Sequence, residues 1–73
     1  MLKKEKAKEG VVVQLKPETE FPYGLMIISE VKYWGCVGYI QIFSKSGQAP
    51  EQAFYKAKWE DMFYVGETNW AAD

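Results

Sequence analysis

From Val11 onward the chain is written in short apolar runs, several of which alternate with polar residues at a period of two, the spacing of a strand with one buried face. Leu25-Met26-Ile27-Ile28-Ser29-Glu30-Val31-Lys32-Tyr33 and Val37-Gly38-Tyr39-Ile40-Gln41-Ile42-Phe43 flank a Trp34-Gly35-Cys36 corner. Their β-branched and aromatic content predicts two paired strands, over residues 24–33 and 36–44. Both are long enough to require strong twist or a bulge. In the second of the pair, Gly38, Ile40 and Ile42 alternate against Val37, Tyr39, Gln41 and Phe43, and Gln41 marks its own set as the outer one. An earlier strand is predicted at Val11-Val12-Val13-Gln14-Leu15, with Val11, Val13 and Leu15 on one face and Pro17 as its stop. A fourth covers residues 52–59, where Ala53, Tyr55, Ala57 and Trp59 point inward and Lys56 and Lys58 mark the opposite face as wet. Residues 60–62 suit one tight helical turn, and Phe63-Tyr64-Val65 a short closing strand ended by Gly66.

The breaks between runs set the expected boundaries. Residues 1–9 mix Lys, Glu and Ala; they favour helix, but a helix so short is marginal in water, so a flexible charged tail is predicted. Residues 10–66 form the domain, and residues 67–73 a polar tail with Trp70 as its one anchor candidate. Residues 16–23 carry Pro17 and Pro22 and read as a long irregular loop whose Phe21 and Tyr23 either tuck inward to close one end of the barrel or face a ligand. Residues 44–51 read as a turn-rich hairpin loop.

Five short strands, a long loop after the first, a hairpin in the middle and one helical turn before the last resemble the SH3-like small barrel, whose members include KOW and Tudor-type domains. The residues that carry the resemblance are Gly10-Val11-Val12-Val13, then Ser29-Glu30-Val31 leading to Trp34-Gly35, and Lys58-Trp59-Glu60-Asp61. They look like the compact small-barrel proteins of bacteria and their phages. The chain departs from peptide-binding SH3 domains, because Tyr33-Trp34 lacks the surroundings of their tandem-Trp motif. The OB-fold is the rival five-stranded barrel, though it needs a longer helix between strands three and four than residues 44–51 supply. The expected fold class is therefore all-β, a five-stranded SH3-like small barrel with one short helical turn before the last strand.

Composition narrows what such a domain can do. A chain of 73 residues buries only about 60% of its unfolded surface, and three Trp, five Tyr and four Phe supply the large side chains a small core needs. Histidine and arginine are both absent, which closes the routes through a Ser-His or Cys-His pair and removes the residue best suited to bidentate phosphate contacts. An enzyme is not expected, nor is a cofactor. The single cysteine, Cys36, has no partner for a disulfide and no His or second Cys for a metal site, so it reads as a small packed side chain in a cytoplasmic protein. The first residues lack the apolar run of a signal peptide, and no window approaches the length of a membrane span. Four lysines and two glutamates fall in the first nine residues, leaving five lysines against eight acids in the rest. The body is thus mildly acidic.

Candidate sites follow from what remains. Glu60 and Asp61 are adjacent acids; on a helical turn neighbours diverge by roughly 100°, so capping of free N–H groups is expected of them rather than paired-carboxylate chemistry. Tyr33 and Trp34 at the corner, with Tyr39 and Phe43 on the outer face, can be either a cap on the barrel or a protein-binding surface. Three functions compete. A non-catalytic protein-interaction module would use those four rings as anchors, and the resemblance implies a regulator docking on a larger protein assembly. A nucleic-acid-binding barrel would stack bases on the rings and follow the backbone with lysines, against which stand the acidic body and the missing arginine. A subunit with a site at an oligomer interface would have to work with Lys, Tyr and carboxylates alone.

Overall fold

The computed structural model describes residues 1–42 and 51–68. Residues 44–50 of the expected hairpin loop, Phe43 and Trp70 lie outside the described residues; Glu51, expected to end that loop, instead opens the fourth strand. Five strands, β1 (Val11–Leu15), β2 (Leu25–Lys32), β3 (Gly35–Ile42), β4 (Glu51–Lys58) and β5 (Met62–Glu67), form one antiparallel sheet in the order β4-β3-β2-β1-β5. Among the described residues the only helical elements are single 3-10 turns at Lys4–Lys6 and Trp59–Asp61. The all-β class and the turn before the last strand agree with the pattern in the sequence. The sheet ends at β4 and β5, which share no ladder among the described residues.

One face of every strand feeds a single apolar cluster. Val11, Val13 and Leu15 come from β1, Met26 and Ile28 from β2, Cys36 and Ile40 from β3, Ala57 from β4 and Met62 from β5. Because the two terminal strands contribute to the same cluster, the sheet must curl around it. Phe21, Tyr55 and Trp59 pack against its margin, Phe21 and Tyr55 edge to face with centroids 5.4 Å apart. At this margin Trp59 is half-buried, and its indole N–H donates to the Tyr33 carbonyl oxygen at 3.0 Å.

Two irregularities decide which side chains face the core. β2 carries one extra residue, Ser29, between the pairs Ile28↔Gly38 and Glu30↔Val37. Strict alternation from Met26 and Ile28 would have sent Glu30 and Lys32 inward, where an ionised group is costly; the bulge turns both outward. The Ser29 hydroxyl donates to the Val37 carbonyl at 3.2 Å. In β5 the extra residue is Val65, between Val13↔Tyr64 and Val12↔Gly66. Close approach of β3 to its neighbours depends on two glycines. A Cβ on Gly38 would collide with the Ile27 carbonyl oxygen and sit 2.8 Å from Met26 Cγ, and one on Gly35 would strike the Ala57 carbonyl oxygen.

The N-terminal segment corrects the expectation of a flexible tail. Leu2 is 1% exposed and belongs to the core cluster, and its N–H donates to the Trp59 carbonyl at 3.3 Å. Lys6 lies over the Tyr64 ring at 5.4 Å, and Lys8 pairs with Glu67 at 3.7 Å. Tyr64 and Glu67 are the ladder partners of Val13 and Val11, so these contacts fall on the core side of β5. The segment therefore runs along β5 and covers the inner face, held by one leucine that a lysine-rich composition conceals.

Further expectations need revising. Phe21 tucks inward, but Tyr23 is exposed: its φ of 61° makes a tight turn, with the Tyr23 N–H bonded to the Leu15 carbonyl and Gly24 to Phe21, and this throws the Tyr23 ring outward. Neither Glu60 nor Asp61 caps the second 3-10 turn, which begins after Lys58 with no side-chain cap; the Asp61 carbonyl instead accepts from the Lys16 N–H at 3.0 Å. β5 does not stop at Gly66 but continues to Glu67, and Thr68 is tied to the Gly10 carbonyl by both its N–H and its hydroxyl at 2.7 Å.

Candidate interaction face

The outer side of the sheet is built from the residues that alternate against the core set. Following the ladders across it gives one continuous lateral row: Gly66 on β5, Val12 on β1, Ile27 on β2, Tyr39 on β3 and Phe54 on β4. With strands about 4.8 Å apart, the four side chains from Val12 to Phe54 span roughly 14 Å. Tyr39 and Phe54 are 43% and 56% exposed and meet edge to face with centroids 5.2 Å apart, an arrangement that a ring pair favours. A second row beside it places exposed Leu25 and Phe63 on either side of Gln14, whose amide reaches the Tyr23 carbonyl at 3.4 Å. Against this apolar field Ile27, Ser29 and Tyr39 line a hollow of about 510 Å³, together with Glu9, Ile28 and Gln52.

Charge collects at the other end of the same face. The rows Glu30–Val37–Lys56 and Lys32–Gly35–Lys58 follow the apolar row toward the β2–β3 turn. Lys32 bonds Glu30 at 2.8 Å, and this contact holds the Glu30 carboxyl below the usual carboxylate range. Lys56 and Lys58 are exposed and make no ion pair among the described residues. The face is thus divided, apolar toward Leu25 and cationic along the far half of β4.

The sequence-predicted ring set is only partly brought together. Tyr39 stands in the middle of the outer face, as expected. Tyr33, 87% exposed, and half-buried Trp34 form the two-residue turn joining β2 to β3, about 17 Å along the strand from Tyr39 at the usual rise per residue. Phe43 lies outside the described residues. The ring that joins Tyr39 is instead Phe54, which alternates against the inward residues of β4; the missing signal was the β3–β4 register, which pairs residues 39 and 54. Val37 belongs to the outer register yet is buried and stands outside the core cluster.

Chemistry beyond contact finds little on which to build. Cys36 is fully buried, and burial pushes its thiol up to about 11, so it is protonated and inert at neutral pH. Among the described residues no three of His, Cys, Asp and Glu lie together as a metal cage would need, and no helix is long and apolar enough to cross a membrane. No family model matches the chain, and neither a curated protein nor a solved structure matches it.

Proposed function

We propose that this chain is a non-catalytic protein-interaction module of the SH3-like small-barrel type, which acts by docking the outer face of its sheet on another protein. The observation that carries the reading is the lateral apolar row Val12, Ile27, Tyr39 and Phe54, four side chains on four adjacent strands presented toward solvent. The contact between the two rings stabilises the sheet only modestly, and about half of each ring stays open to solvent; rigid rings on a sheet lose little entropy when a partner covers them. Tyr39 and Phe54 form the centre of the contact, and Tyr33 and Trp34 a separate outlying one. Five short strands, a long loop after β1, the β3–β4 hairpin and the 3-10 turn ahead of β5 support the SH3-like placement. Resemblance to the small barrels of bacteria and their phages points to a regulator that alters a larger assembly on docking. A lone buried thiol suits a reducing cytoplasm.

The test is affinity capture on the full chain from nuclease-treated native extract, followed by titration of the recovered partner across salt concentrations with the parent protein and with Tyr39→Ala and Phe54→Ala. Cutting either ring should weaken binding by at least about 2 kcal/mol, with little change between low and moderate salt. Affinity that falls steeply with salt and is indifferent to both rings would mark counterion release from nucleic acid instead, and would overturn the reading.

A further inference from the structure

The two edges of the sheet are built differently. β5 is interrupted by the Val65 bulge and is accompanied on its core side by the N-terminal segment. β4 holds unbroken register with β3 over eight residues, and its other side carries neither a strand nor a backbone hydrogen bond among the described residues. An unbroken edge of that length, unpaired among the described residues, is a template for an added strand. Its exposed outer side chains run Gln52, Phe54, Lys56, Lys58, and its inner ones, Ala53, Tyr55 and Ala57, are half-buried or buried.

Charge selects the occupant. Lys32 and Lys8 have acidic partners, but Lys56 and Lys58 have none among the described residues. A second copy of the same edge would bring four lysines into one short ladder, which is why edge lysines protect a sheet from pairing with itself. An acidic strand meets the opposite condition. We propose that the free edge of β4 receives an extended acidic segment of the partner protein as an added antiparallel strand, its carboxylates on Lys56 and Lys58 and an apolar side chain on the Tyr39–Phe54 ring pair. This rests on the protein-interaction reading and adds to it the partner's backbone shape and charge. Antiparallel addition meets Lys58 first, then Lys56, then Phe54, each two residues apart on one face. The recognised pattern is therefore acid, any, acid, any, apolar, with the intervening residues beside Ala57 and Tyr55.

The test uses the isotopically labelled full chain and three probes: the capped peptide Glu-Val-Glu-Val-Leu-Thr, its counterpart Lys-Val-Lys-Val-Leu-Thr, and a short oligothymidine. The acidic peptide should shift amide resonances chiefly along β4 and slow hydrogen exchange at its outward amides, and should bind at least tenfold more tightly than the basic one. Lys56→Glu with Lys58→Glu should reverse that preference, a result that loss of folding cannot produce. Equal binding of the two peptides, or no binding of the acidic one at millimolar concentration, overturns the edge proposal. Shifts confined to Val12, Ile27 and Tyr39 without protection of β4 also overturn it while leaving the outer-face reading intact. Oligothymidine binding that depends on the same lysines, with β4 unprotected, rejects both.

Discussion

Cutting Leu2 to Ala probes the least expected feature of the fold, a core residue supplied by a lysine-rich terminus. Leu2 is 1% exposed, sits in the same cluster as residues from all five strands, and is followed by contacts from Lys6 and Lys8 to β5. Removing a buried leucine side chain costs about 2–5 kcal/mol, the lower end where the surroundings can relax. A terminal segment relaxes by detaching altogether, so the loss is limited to the free energy with which residues 1–9 dock. Two consequences follow for measurement. Leu2→Ala should cost about 2–3 kcal/mol, which for a domain of this size is roughly 10–20 °C in Tm or about 2 M in urea midpoint. Deleting residues 1–9 should cost nearly the same, because the alanine variant has already released the segment. Urea denaturation followed by tryptophan fluorescence suits the purpose, since Trp59 accepts the Leu2 N–H and packs on the same cluster. Unchanged midpoints in both variants would refute the docking of the segment, and a deletion much more costly than Leu2→Ala would show that the lysines, rather than the leucine, hold it.

Two glycines should separate sharply in thermal denaturation: Gly38→Ala meets the Ile27 carbonyl and Met26 and should lose more than about 2 kcal/mol, whereas Gly66→Ala meets no atom within 4 Å and should stay within about 0.5 kcal/mol; equal Tm values would refute the close approach of β2 and β3. For Cys36 the folded thiol is raised from 9.0 to about 11 by burial, so the folded state keeps a proton that the unfolded chain releases. The associated stability is fully present below pH 9 and declines from there to about pH 11. Comparing the pH dependence of unfolding free energy in the parent and in Cys36→Ala should show a steeper alkaline decline in the parent; parallel curves would contradict the buried thiol.

Much of the fold was legible because short-range pattern and burial agree in a strand. Val11, Val13 and Leu15 alternate and are buried; Gly38 and Ile40 face in while Tyr39 and Gln41 face out; Ala57 faces in between two lysines. Pro17 and the 60–62 region marked real breaks, displaced by a residue or two where strands ran past their expected ends. The absence of histidine and arginine likewise narrowed the chemistry without any coordinates.

Long-range contacts were not legible, because no local signal encodes them. A leucine followed by two lysines resembles a solvated tail until the sheet offers it a place in the core, and only the path of the chain beside β5 does that. Alternation alone sends Glu30 toward the core; the cost of burying its charge is relieved by a bulge at Ser29 whose place is set by pairing with β3. The candidate site shows the same division. Sequence identified Tyr39 as an outward ring, but its neighbour is a matter of register between strands separated by a loop, and that register supplies Phe54 from fifteen residues away while leaving Tyr33 and Trp34 at a distant turn. Pattern along a chain determines which face a side chain takes, and only tertiary pairing decides which side chains share it.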